Sequence, residues 1–192
     1  PDVLLIERAH TLRAHAGQPA FPGGALDPED GDPTGPGPVA AALREAREEV
    51  GVESGSVEVL GTLPALFLPP SGFVVHPVVG LWRDPHAVDV VDEAEVAAVL
   101  RVPLTQLSDP ANRVQVRHPN GWTGPAFEVD DLLVWGFTAG LLDKLLELGG
   151  WAVPWDESRR RTLGPDVVAL AARGATFPEG LPEATVLEPP IA

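Results

Sequence analysis

The chain has 192 residues, 44% of them hydrophobic, with 28 acidic residues against 13 basic ones, a formal net charge of −15, and neither cysteine nor methionine. Length and composition fit one folded domain with a substantial core. The acidic balance excludes a nucleic-acid surface, which needs a basic field, and no apolar run approaches the roughly 18 residues of a membrane span.

With no cysteine, disulfides and thiolate metal sites are excluded, so a bound metal must take oxygen or histidine nitrogen, which favours a hard cation. Val3, Leu4, Leu5 and Ile6 form an apolar run at the first residues. With no methionine before it, the sequence is expected to begin after the true start, and its first strand, "DVLLIER", to lack residues. No basic n-region precedes this run, and a soluble, cytoplasmic protein is expected. A small basic concentration follows at Arg8, His10, Arg13 and His15.

"GALDPEDGDPTGPGP", Gly24 to Pro38, is a turn-rich loop. A helix is predicted after it, because Val39, Ala42, Leu43, Ala46 and Val50 make one apolar stripe of helical period. Pro38 suits its first position and Gly51 its left-handed stop. "VEVLGTLPALFL" and "GFVVHPVVGLW" read as β segments, and "VDEAEVAAVLRVPL" as an acidic loop, a short apolar element and a proline break. "DLLVWGFTAGLLDKLLELGG" reads as a second helix with Leu133, Phe137, Leu141, Leu145 and Leu148 on its buried side.

Beyond Gly150 only "PDVVALAARG" looks helical, and the last residues, rich in Pro and Glu, read as a surface-running tail. A domain over 1–150 is therefore expected, with an extension over 151–192 that packs on it or trails from it. The 22 prolines and 20 glycines show no repeat period. Strands, a helix, more strands and a terminal helix predict an α/β (α+β) domain, an α/β/α sandwich around a mixed sheet.

"REAREEVG", residues 44–51, crowds Glu45, Glu48 and Glu49 into the last turns of the first predicted helix of an already acidic chain. At about 100° per residue the three carboxylates share an arc of roughly 100° beside the apolar stripe. Acidic groups near a helix C-terminus oppose the macrodipole by about 0.3–1 kcal/mol each, and Glu45 and Glu49 repel as an i,i+4 pair. A solvated face is the ordinary reading of such a run. A divalent cation would turn the repulsion into a site, because Mg²⁺ takes hard oxygens from one or two carboxylates, water and phosphate. Arg44 is placed to orient Glu48 by an i,i+4 ion pair. Upstream, "FPGG", Phe21 to Gly24, is either a plain turn or a place where backbone passes close to a metal or phosphate with a carbonyl free to ligate.

Gly24, Asp30 and the run Arg44-Glu45-Ala46-Arg47-Glu48-Glu49-Val50-Gly51-Val52 resemble the Nudix box, G-x5-E-x7-R-E-U-x-E-E-x-G-U with U aliphatic. Asp30 stands where the box has Glu, and 13 residues rather than seven separate it from Arg44, which reads as an insertion in "GDPTGPGP". "LLIERAHTLRAHAGQPAFPGG", Leu4 to Gly24, is similar to the signature of the coenzyme A pyrophosphatases in that superfamily, L-L-T-x-R-[SA]-x3-R-x3-G-x3-F-P-G-G. Arg8, Ala9, Arg13, Gly17 and Phe21 to Gly24 fall in register, with Ile6 in place of Thr. "LVWGFTAGLL" resembles the terminal helix of that group.

The resemblance implies hydrolysis of a nucleoside diphosphate derivative, and for this subgroup of coenzyme A to 3′,5′-ADP and 4′-phosphopantetheine, with Mg²⁺ or Mn²⁺ as cofactor. It assigns Glu45 and Glu49 as metal ligands, Glu48 as ligand or bridging base, the Gly24 carbonyl as an auxiliary ligand and Arg44 as part of the catalytic cluster. Glu95, in "DEAEV", is the candidate downstream carboxylate; a solvated loop acid is its alternative. Arg8 and Arg13 are expected to meet substrate phosphate, since guanidinium forks match its oxygens, with His15 beside them.

Trp82, Trp122 and Phe127 read as core residues before adenine-stacking ones. Arg159, Arg160 and Arg161 read as a solvated basic run, with a homo-oligomer contact as the alternative. The rival functions are a Nudix hydrolase for ADP-ribose or NADH and a Nudix-like nucleotide-binding domain without hydrolysis. Against the last, a binder has little reason to keep a repulsive carboxylate cluster.

Overall fold

The computed structural model describes residues 1–68 and 72–172. Its elements in chain order are β1 (Asp2–Arg8), β2 (Pro19–Ala20), α1 (Gly37–Val50), β3 (Val57–Thr62), β4 (Leu66–Leu68), β5 (Phe73–Val75), β6 (Val78–Trp82), β7 (Val96–Pro103), α2 (Leu104–Ser108), β8 (Arg113–Arg117), β9 (Thr123–Val129), β10 (Leu132–Val134), α3 (Gly136–Leu148), β11 (Arg160–Thr162) and α4 (Pro165–Ala172). None of the described helices is long and apolar enough to cross a membrane.

β1 explains the layering. Its near-continuous apolar run is what a strand covered on both faces requires, and successive side chains point to opposite sides. Leu5, with Val3, enters a core built from Val102, Leu107, Phe127, Val134 and the α3 residues Ala139, Leu142 and Leu146. Ile6, with Leu4, enters a second core with Val96, Ala46 and Val50 of α1, Val57 and Trp82. The sheet β2-β1-β7 therefore lies between α1 and α3, the mixed α/β architecture expected. A second sheet runs β10-β9-β8-β11. It is mixed, because β11 pairs parallel with β8 whereas the other pairs are antiparallel. Its far face, Val114, Val116 and Ala126, packs with Leu163 and with Val167 and Val168 of α4.

The expectations for α1 and α3 change. Leu133 lies in β10, because Asp130 at φ 50° turns β9 back on itself before Gly136 at φ 65° opens α3. Along α3, Ala139, Leu142 and Leu146 are buried, Phe137, Leu141 and Leu145 are half-buried, and Leu148 is 65% exposed. In α1 the buried residues are Gly37, Pro38, Ala41, Glu49 and Val50, while Val39, Ala42, Leu43 and Ala46 are half-buried. The loop before α1 covers its first turn. The Gly37 N–H bonds the Asp32 carbonyl at 3.0 Å, and a side chain at Gly37 would meet that oxygen at 2.7 Å, so the loop lies against the first turn.

The basic run is exposed at Arg160 and Arg161, and Arg159 is half-buried. Arg159 donates to the carbonyls of Pro110, Ala111 and Arg113 at 3.1, 2.6 and 3.1 Å, and Arg161 donates to Glu128 at 2.7 Å. Phe127 is fully buried and Trp82 half-buried, but Trp122 is 43% exposed and not a core residue. Residues 173 and 174 of the last predicted helix, and the Pro- and Glu-rich tail, lie outside the described residues.

Candidate active site

The C-terminus of α1 is pinned before any site is considered. Gly51, at φ 77°, donates to the Arg47 carbonyl at 2.9 Å, Val52 donates to Ala46 at 3.2 Å, and Val50 is buried. This left-handed cap fixes the rotation of the last turns and turns Glu49 inward, to 2% exposure.

The three glutamates differ once placed. Glu49 accepts the Gly23 N–H on Oε2 at 2.9 Å, and its Oε1 is buried with no partner. Burial pushes its carboxyl up to about 7, and the charges of Glu45 and Glu95 push the same way, against the Gly23 N–H and Arg8. Glu45 lies against Gly24, where an added Cβ would stand 2.2 Å from its Oε1; burial raises its pKa, with Arg44 opposing. Glycine at 24 is thus the condition for Glu45 to approach the backbone. Glu48 is exposed, its side chain at 59%, and pairs with Arg44 at 2.9 Å.

Arg44 ties helix to loop. Its Nε and Nη2 donate to the two oxygens of Asp30 at 3.0 and 2.9 Å, Nη2 also to the Ala25 carbonyl at 3.0 Å, and Nη1 to Glu45 and Glu48 at 3.0 and 2.9 Å. The bidentate fork holds the Asp30 carboxyl below its usual range, and Asp30 in turn accepts the Asp27 N–H at 2.8 Å. One guanidinium therefore ties α1 to the loop that follows the Gly23–Gly24 turn. An open groove of about 680 Å³ runs along the outer side of α1, lined by Leu43, Arg44, Arg47, Glu48, Ser54 and Val91 among others. It meets the carboxylates only through Arg44 and Glu48.

The other candidates fall at different distances from this cluster. Glu95 is exposed, yet its charge raises both Glu45 and Glu49, and its carbonyl accepts the Ala9 N–H at 2.8 Å. Arg8, at the end of β1, is half-buried with its Nε unpartnered, and its charge acts on Glu49. Arg13 is exposed and makes no ion pair among the described residues. His15 sits at φ 56° with Nδ1 3.0 Å from Gln18 Oε1.

Among the described residues no three His, Asp or Glu side chains converge into a ready-made metal cage. What converges instead is Glu45, Glu49 and the field of Glu95, with an unpartnered buried carboxylate oxygen at the centre. Sequence reasoning missed the Gly23 N–H as a partner of Glu49; the Gly–Gly pair carried that signal, read there for the Gly24 carbonyl alone.

A family model described as the NUDIX domain matches residues 1–121. The chain is 41% identical over 157 residues to a protein of Citrobacter koseri named an uncharacterized Nudix hydrolase NudL, covering 78% of this chain and 76% of the relative. The same figures hold for the protein of that name from Cronobacter sakazakii, and a Salmonella paratyphi B relative is 41% identical over 163 residues with the same coverage.

Proposed function

Because the chain belongs to the Nudix family, we propose that it hydrolyses the pyrophosphate linkage of coenzyme A and its derivatives, giving 3′,5′-ADP and 4′-phosphopantetheine. The observation that carries the hydrolytic part is Glu49: a buried carboxylate with one oxygen on the Gly23 N–H, the other unpartnered, and two further carboxylates acting on it. A charge in that position asks for a cation. The donor set, all oxygen, fits a hard dication such as Mg²⁺ or Mn²⁺.

Glu45 and Glu49 would hold the ion, with Glu48 and the Gly24 carbonyl as further donors; when bound, it supplies charge neutralisation for phosphoryl oxygens and acidifies water. The chain's own residues do the rest. Arg44 holds Glu45, Glu48 and Asp30 in one frame, so that the carboxylates need no reorganisation when substrate arrives. Glu95, exposed beside them, is the residue assigned to take a proton from water. Arg8 presents an unpartnered buried Nε toward the same region, and Arg13 an exposed guanidinium; both are assigned to substrate phosphates, with His15 at the turn between Arg13 and Gln18.

The substrate assignment is supported by the register of Arg8, Arg13, Gly17 and Phe21 to Gly24 with the coenzyme A signature. Its test is a panel of coenzyme A, dephospho-coenzyme A, ADP-ribose and NADH, each with Mg²⁺ or Mn²⁺ and products identified by mass. Coenzyme A should give the highest kcat/KM. If ADP-ribose or NADH outruns it, the substrate assignment is wrong, and if none is cleaved, the hydrolase reading fails with it.

A further inference from the structure

Residues 59–82 contain no Asp, Glu, Lys or Arg, in a chain of net charge −15. The described part of this stretch forms a two-stranded ribbon: β3 pairs antiparallel with β6, β4 pairs with β5, and neither pair gains a third strand among the described residues. Its root is anchored, since Val57 and Trp82 pack on the core under α1. Further out the apolar side chains face solvent, with Leu60 58% exposed, Leu66 41%, Phe67 51%, Val74 57% and Leu81 40%. Phe67 and Val74 are register partners on one face. A two-stranded ribbon has no core of its own and is marginal in water, and large apolar side chains exposed along it mark an interaction surface.

We propose that this ribbon is a self-association surface, covered by the same ribbon of a second copy of the chain. Charge selects the occupant. Two copies repel wherever their acidic surfaces meet, and 59–82 is a long segment that adds nothing to that repulsion. A lipid surface fits less well: membrane-binding apolar elements carry Lys or Arg beside them, whereas the cation next to this stretch, Arg83, is taken by Glu58. Area sets the strength. One face of the described strands, β3 and β4 on one side of the ribbon and β5 and β6 on the other, covers on the order of 300 Å², less than half of the roughly 800 Å² that each partner gives to a stable interface. An interface of that size belongs with transient ones, so the dimer is reversible.

The test is sedimentation velocity of the full chain from about 1 to about 200 µM, a range that brackets micromolar dissociation. The wild type should pass from monomer to dimer, and Phe67→Glu and Val74→Glu, each shown by thermal melting to be folded, should move the midpoint at least about tenfold higher, the equivalent of about 1.4 kcal/mol. Leu148→Glu, an exposed apolar residue on α3, should leave it unchanged. A monomer at every concentration overturns the proposal, as does a dimer indifferent to both ribbon variants or equally sensitive to Leu148→Glu. Co-sedimentation of the wild type with phosphatidylglycerol vesicles, lost in Phe67→Glu, would assign the surface to lipid. A monomer whose KM for coenzyme A rises in Phe67→Glu would assign it to substrate. Mass is read here rather than turnover, so failure of the dimer leaves the hydrolase reading intact.

Discussion

Among the described residues, Glu49 and Arg113 are charged side chains buried to 2% and 1% exposure, and the chain treats them differently. Arg113 lies between the rings of Phe127 and Trp155, 4.4 and 4.7 Å from their centroids, and pairs with Asp143. Its Nε, like Glu49 Oε1, has no hydrogen-bond partner, but its charge is answered from within the protein by Asp143 and the two rings. Glu49 has one backbone N–H on one oxygen, nothing on the other, and two like charges acting on it against the single opposing charge of Arg8. Burying a carboxylate without a full counter-charge costs several kcal/mol, and in the proposed function that compensation is left to a bound cation. Arg113 is a buried charge that builds structure, and Glu49 is the one proposed to wait for a ligand.

The largest test of that difference is to neutralise Glu49. Glu49→Gln keeps the shape and the contact with Gly23 but removes the charge, so kcat/KM should fall by about 10³ or more, about 4 kcal/mol in transition-state terms. Stability in chelator should rise. The sign follows from the raised pKa: the wild type is favoured below pH 4.5, where Glu49 is protonated folded or unfolded, and loses that advantage as pH rises through about 7. Chemical denaturation across that window should show the two proteins converging at low pH and separating by on the order of 2 kcal/mol at pH 8. A wild type as stable as Glu49→Gln at pH 8 would mean that Glu49 is not strained by its burial.

The matching change at the other centre is Asp143→Asn. It leaves the Arg113 guanidinium buried without its counter-charge, and should lower stability by about 1–3 kcal/mol while activity per folded molecule stays unchanged. Loss of turnover without loss of stability would erase the contrast. Between the two lies Gly24→Ala. A methyl group at 24 collides with Glu45, so kcat/KM should fall about 10–100-fold, with melting changed by only a few degrees. The smallest effect is one of selectivity: Arg13→Ala should weaken use of coenzyme A by about 1–2 kcal/mol and reduce its preference over dephospho-coenzyme A. If that preference persists in full, Arg13 does not read the 3′-phosphate.

Much of the Glu49 side of this comparison is legible in the sequence, because Arg44, Glu45, Glu48 and Glu49 share one helix and helical geometry alone groups them. Which of the three glutamates is buried is not legible there. That depends on contacts beyond the helical period, the Gly23 N–H on Glu49 and the Arg44 pairing of Glu45 and Glu48 among them. The fork from Arg44 to Asp30 crosses a loop whose length no local rule fixes. The Arg113 side is nearly invisible. In "RVQVR" nothing separates Arg113, 1% exposed, from Arg117, which faces solvent; the difference is made by Trp155 and Asp143, brought from distant elements. The hairpin ahead of α3 was readable in principle from Asp130-Asp131 between apolar runs, but the helical period of the residues after it absorbed Leu133.

The most direct test of the account is whether a cation answers the charge on Glu49. Thermal melting of the metal-free protein at pH 8, with and without millimolar Mg²⁺ or Mn²⁺, reads this without substrate or turnover, since a ligand that binds only the folded state raises the melting temperature by mass action. The account predicts a clear rise for the wild type and for Asp143→Asn, and a loss of most of that rise in Glu49→Gln. An equal rise in Glu49→Gln, or none in the wild type, would contradict it.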